Sequence, residues 1–179
     1  MRKIMIIALI IVWIISITSC SRQLPEKYRP GNSIESKSSN KVNVETALDL
    51  PKRYEPDVAT QNGDIVDVHG KTSNLQRLGL FISNTNREVK DTVRITTYTI
   101  EGDAIISVLN YDGQRIEYIM DTTRDNWGTK KILRTIGEQI RIESKTLKHD
   151  DGTQEKVKIY YLIGCQEEPK NQEIFVVRE

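Results

Sequence analysis

An α+β domain, with one main helix packed on a twisted antiparallel sheet of about five or six strands, is the fold this sequence predicts. Three observations carry the prediction. Only residues 74–88 hold a helical spacing of apolar residues over real length. From Asp91 onward apolar and polar residues alternate with the period of strands. That alternation is broken by acidic, glycine-containing turns at Glu101-Gly102-Asp103, Asp112-Gly113 and Asp150-Asp151-Gly152.

Pro56-Asp57-Val58-Ala59 reads as a first helical turn, because proline is tolerated at the start and an acidic residue suits the positive end of the helix dipole. Asn62-Gly63 ends it, and Ile65, Val66 and Val68 form a short extended piece closed by Gly70. Ser73 or Asn74 caps the main helix, with Leu75, Leu78, Ile82 and Val89 near one stripe and Leu80 and Phe81 beside it. A strand follows from Thr92 to about Ile100. Residues 104–111 and 114–121 then flank Asp112-Gly113, the signal of a two-residue hairpin loop, which sets Leu109 opposite Ile116 and Ser107 opposite Tyr118. Residues 122–129 form a loop holding Arg124, Asp125 and Trp127. Ile132, Ile136, Ile140 and Ile142 keep one parity along a stretch that Gly137 bends or bulges. A turn at His149 leads to a strand over residues 155–164 with Val157, Ile159 and Tyr161 on one face, and residues 173–178 close the sheet.

The chain before this domain has a different character. Arg2 and Lys3 precede an unbroken apolar run from Ile4 to Ile15, and Ile17-Thr18-Ser19-Cys20 follows it. A basic start, a short apolar stretch and small residues are the parts of a signal peptide, and the run is well short of the ~20 residues that span a bilayer. A branched residue three places before a cysteine, with small residues between, resembles the lipobox of bacterial lipoproteins. That resemblance implies cleavage before Cys20, attachment of diacylglycerol to its thiol, and a protein held on the outer face of the cell membrane. The expected organisation is a signal over residues 1–19, a flexible tether over 20–55 rich in serine, lysine and proline, and one domain over 56–179. A coil of that length reaches ~30 Å.

The precursor has 26 basic and 25 acidic residues, and without Arg2 and Lys3 the basic count falls to 24. So balanced a chain offers no electrostatic footprint for nucleic acid and no polybasic second contact with a membrane. With Cys20 committed to lipid, Cys165 is the one remaining thiol, which excludes an intramolecular disulfide and a thiolate metal site. A buried, inert thiol is the expectation for it.

Gly63-Asp64-Ile65-Val66-Asp67-Val68-His69-Gly70 is followed at characteristic distances by three further motifs. They are Arg94-Ile95-Thr96-Thr97-Tyr98-Thr99-Ile100-Glu101-Gly102-Asp103, Leu109-Asn110-Tyr111-Asp112-Gly113 and Thr123-Arg124-Asp125. Together they resemble a family of domains of unknown function found in lipoproteins of Gram-positive, Bacillus-like bacteria, over about residues 56–165. The resemblance supports a surface lipoprotein and implies no activity. Two departures stand out: Ala104 replaces a proline usual after the acidic turn, and the further cysteine that members often carry before the penultimate strand, within range of pairing with the one matching Cys165, has no counterpart here.

His69 with Asp64 and Asp67 is the grouping that suggests chemistry, since a carboxylate on the same strand face orients an imidazole. The simpler expectation is that Asp64 turns the chain and His69 bonds locally before Gly70. Glu101, Asp103 and Asp112 offer oxygen ligands to calcium, although tight turns select the same residues. Arg94, Arg115, Tyr98 and Tyr118 fit an exposed recognition face, and Trp127 fits an anchor. Phosphate loops, nucleophile elbows and metal-binding histidine motifs are missing from the sequence. The expectation is therefore a non-enzymatic module with neither cofactor nor metal, binding a protein, peptide or envelope component. Its candidate ligand contacts are His69, Asp64, Asp67, Tyr98, Asp103 and Trp127. The competing expectation is a hydrolase, metal-dependent or acid–base, built on His69, Asp64 and Asp67.

Overall fold

A short helix forms where proline can start it. In the computed structural model, which describes residues 48–179, α1 runs Pro56–Gln61 with Asp57 in its first turn, and Gly63 turns the chain out at φ 83°. The expected signal peptide, Cys20 and most of the tether lie outside the described residues. β1 (Ile65–Val68) folds back through His69 and Gly70 onto β2 (Lys71–Ser73), a strand hidden in the sequence by its brevity and polar residues. α2 (Gln76–Asn86) is shorter than its apolar pattern, because Glu88 turns at φ 57° and Val89 is exposed. Seven longer strands follow: β3 (Asp91–Tyr98), β4 (Ala104–Tyr111), β5 (Ile116–Asp121), β6 (Ile132–Gly137), β7 (Gln139–Lys148), β8 (Gln154–Ile163) and β9 (Asn171–Arg178).

Among the described residues the protein is mostly sheet with two short helices, and its strands form two sheets rather than one. The first has six strands in the order β2-β1-β3-β4-β5-β6, and the second has three in the order β7-β8-β9. The first is also mixed, since α2 carries the chain across and lays β3 parallel to β1. Gly137 is where the chain leaves one sheet for the other. A Cβ on Gly137 would stand 2.5 Å from Leu162 Cγ of β8, so the isoleucines that share parity on either side of it serve different sheets.

The β4–β5 hairpin also departs from expectation. Tyr111 pairs with Ile116 and Leu109 with Tyr118, two residues out of the predicted register. The cause is local: Asp112 Oδ1 accepts the N–H groups of Gln114 and Arg115, both at 2.8 Å, and this wrap makes a four-residue loop. A shift of two preserves which face each side chain occupies.

Both faces of the six-stranded sheet are covered. One carries Ile65, Ile95, Leu109 and Tyr118 against Leu78 and Phe81 of α2 and against Tyr160, Leu162, Phe175 and Val177 of the second sheet. Burying Leu78 and Phe81 contributes about 1.5–3 kcal/mol each. The other carries Val66, Ile106 and Val108 under Ala59 of α1 and under Leu48, Leu50 and Tyr54. Residues 48–55 thus pack on the domain. The expected exposed face of Arg94, Tyr98 and Tyr118 does not exist: all three are covered, and only Arg115, in the hairpin loop, is exposed. Along β8 the buried positions pass from Val157 and Ile159 to Tyr160 and Leu162 where β9 bulges at Ile174, and Tyr161 is half-buried under Arg141 and Lys145.

Candidate functional site

Asp64 and Asp67 flank the two faces of β1, and the structure sends them to separate tasks. Asp64 is 2% exposed on the face covered by residues 48–61. Its Oδ2 accepts from Tyr54 Oη at 3.0 Å and Thr96 Oγ1 at 2.8 Å, and its Oδ1 from Arg94 Nε at 2.8 Å and Nη2 at 2.6 Å. Asn62 Nδ2 donates to Tyr54 Oη at 3.1 Å, and Tyr98 Oη donates to the Tyr54 carbonyl at 2.8 Å. Arg94 also lies over the Tyr54 ring, 5.7 Å from its centroid. Burial raises the Tyr54 and Tyr98 hydroxyls above the ordinary tyrosine value, so both remain protonated donors. Carboxylate, guanidinium and hydroxyls satisfy one another here, which is the economy of a clamp holding the lead segment to the sheet.

Asp67 lies on the opposite face. Its Oδ1 accepts the Gly70 N–H at 3.0 Å and its Oδ2 the Thr72 hydroxyl at 2.9 Å. These bonds brace the turn that holds His69 at φ 52°, where His69 Nε2 meets the Thr99 carbonyl at 3.0 Å. The three residues of the hydrolase constellation are therefore divided, with His69 and Asp67 at one opening and Asp64 behind the sheet.

That opening is a cleft of about 400 Å³ between the six-stranded sheet and β9. Its floor includes Thr97, Ile105, Ser107, Tyr118 and Met120, and Ser107 Oγ lies 3.2 Å from Tyr118 Oη. Burial pushes the Tyr118 hydroxyl above the ordinary value. Asp67, His69 and Gly70 form one wall and residues 173–176 with Arg178 the other. Gly70 is required where it stands, at φ 88°, because a Cβ would lie 2.6 Å from the Arg178 side chain. β9 is the outer strand of its sheet. Residues 173–176, which include a bulge at Ile174, line the cleft. Glu179 N–H bonds to the Lys156 carbonyl, and the antiparallel alternation then turns the backbone groups of Arg178 and Val176 outward.

The other expected contacts lie elsewhere. Asp103 accepts the Asn126 backbone N–H at 2.8 Å and Nδ2 at 2.9 Å, tying the β3–β4 turn to the β5–β6 loop. Asp103 and Asp112 flank opposite ends of the eight-residue β4, about 31 Å apart at ~3.4 Å per residue, so they do not share a cation. Trp127 is 81% exposed on the loop. Cys165 is buried, its thiol donating to the Leu162 carbonyl at 3.4 Å. Among the described residues no three acidic, histidine or cysteine side chains gather as a metal site, and no helix is long and apolar enough to cross a membrane.

Sequence reasoning missed Glu173, Phe175 and Arg178 as part of this cleft. They are far from His69 along the chain, and no local pattern announces that β9 folds back beside β1.

Residues 62–151 match the model of a family described as a domain of unknown function, DUF4362, and the match spans half of the chain. The chain belongs to the DUF4362 family. No curated protein matches it, and no solved structure does. The matched stretch holds Asp64, Arg94 and Thr96 of the clamp and the floor of the cleft, whereas Tyr54 and the β9 wall fall outside it.

Proposed function

We propose that this protein is a non-catalytic binding module, lipid-anchored through Cys20 on the outer side of the cell membrane, that takes an extended peptide in the cleft beside β9. The single observation behind the ligand class is the outer edge of β9, unpaired among the described residues, facing a cleft with mixed walls. A strand laid along that edge bonds to the outward backbone groups of Val176 and Arg178, and alternate side chains enter the cleft. Ile105, Met120 and Phe175 give it apolar contact, Ser107 and Tyr118 give hydroxyls, and Asp67, Glu173 and Arg178 give charges of both signs. The anchor is supported by the lipobox resemblance at Ile17-Thr18-Ser19-Cys20.

Peptides selected from a random library on the immobilised protein test this reading. Binding should slow amide exchange at Val176 and Arg178, and methylation of alternate peptide nitrogens should abolish it. Thr97→Trp, which fills the cleft from its floor, should abolish it as well. Selected peptides that bind equally well to the Thr97→Trp protein, or a library that yields none, would refute the proposal.

A further inference from the structure

Among the described residues the two most exposed large apolar side chains, Ile100 at 88% and Trp127 at 81%, stand at the same end of the six-stranded sheet. Ile100 is in the β3–β4 turn and Trp127 in the β5–β6 loop, and Asp103 bonds the two together through Asn126. The indole is held outward by a built loop. Asp125 Oδ1 accepts the N–H groups of Trp127 at 2.9 Å and Gly128 at 2.8 Å, and the Thr122 hydroxyl bonds to the carbonyls of Thr129 and Lys131. Ile132, 55% exposed, follows directly. Holding three large apolar groups in water at one end contributes nothing to the core.

The same loop receives the incoming chain. Arg124, buried by its neighbours, donates to the carbonyls of Leu48 and Leu50 at 3.0 Å and of Pro51 at 3.2 Å, and to Asp121 Oδ2 at 2.5 Å. Leu48, the first described residue, is thus held against the loop that carries Trp127. Attachment of the chain before Leu48 to a bilayer, by lipid at Cys20 or by the apolar run Ile4 to Ile15, limits how far this end of the domain stands from the membrane.

We infer that Trp127 and Ile100 enter the interfacial layer of the lipid bilayer, a second contact beside the tether. Tryptophan suits that layer because its ring is apolar and its N–H remains wet. Charge plays little part: Lys52, Arg53, Lys130 and Lys131 at this end are matched by Asp49, Glu101, Asp103 and Asp125. The tether makes the contact intramolecular, so one too weak to hold a free domain is populated in the attached chain. This inference rests on the membrane attachment proposed above, and its test separates the two.

The full chain contains two tryptophans, so Trp13→Phe leaves Trp127 as the only tryptophan whether or not the signal is removed, and excitation beyond the tyrosine absorption band selects it. That protein is reconstituted in phosphatidylcholine vesicles and in vesicles containing phosphatidylglycerol. Trp127 emission should shift to the blue and be quenched by lipids with brominated acyl chains, to the same extent in both vesicles and at low and high salt. Ile100→Asp should weaken the quenching without changing the far-ultraviolet circular dichroism. Protein that floats with the vesicles while Trp127 stays unquenched overturns the inference and spares the anchor. Protein that does not float overturns both.

Discussion

Asp64→Ala is the sharpest perturbation of this fold, because one carboxylate joins three elements. It removes the acceptor for Tyr54, Thr96 and two nitrogens of Arg94, and withdraws the carboxylate that balances the guanidinium. Asp64 is 2% exposed and the Arg94 side chain 11%, so solvent cannot screen the loss. Removing one partner of a buried pair costs about 3–5 kcal/mol, a large share of the ~5–15 kcal/mol that stabilises a typical domain. At a urea dependence of ~2 kcal/mol per M, the unfolding midpoint should fall by about 2 M. Tyr54→Phe and Thr96→Val, each removing a neutral hydroxyl, should cost about 1 kcal/mol. The double variant Asp64→Ala with Arg94→Met should recover part of the loss, since it removes the unbalanced charge. A midpoint for Asp64→Ala within about 0.5 M of wild type would show that the clamp does not hold the sheet to its lead segment.

Arg124→Met should lower stability by about 2 kcal/mol through lost charge-assisted bonds and speed amide exchange at Leu50 well before global unfolding. Burial opposes ionisation of Asp121, but hydrogen bonds from Thr123 and Arg124 outweigh it and hold its carboxyl below the ordinary range. A depressed carboxyl stabilises the folded state above its ordinary value of ~3.9, and that contribution fades as pH falls through the folded value. Protection of Leu50 should therefore decline on the acid side of about pH 4, and exchange unaltered there after correction for the intrinsic rate would contradict this. Gly137→Ala drives a methyl group against Leu162 and should cost about 1–3 kcal/mol by calorimetry, and adding Leu162→Ala should cost less than the two single changes summed.

Turns and strands were legible because their causes are local. Gly63, Gly102 and Gly152 turn the chain at positive φ where the sequence placed turns, and β3, β4, β8 and β9 lie close to their predicted spans. The hairpin register was not legible, since an Asp-Gly pair signals a turn without saying how many N–H groups the aspartate gathers. The second sheet was hidden for a related reason: alternation shows that a strand has a buried face, and not which sheet buries it. Arg94 and Tyr98 read as exposed because polar residues in alternation signal water, whereas here a carboxylate from β1 and the lead segment meet them.

By itself the sequence determined the local grammar of this protein: its turns, its strand-forming segments, its family motifs and the resemblance of its N-terminus to a lipoprotein signal. These depend on neighbours within a few residues, where backbone sterics and side-chain period decide the outcome. Only the tertiary structure decided that Asp64 and Asp67 part to opposite faces, that β9 brings Arg178 against Gly70 to wall a cleft, and that Arg124 fixes the incoming chain beside Trp127. Each of those joins residues distant along the chain, and such contacts follow from how whole faces are covered.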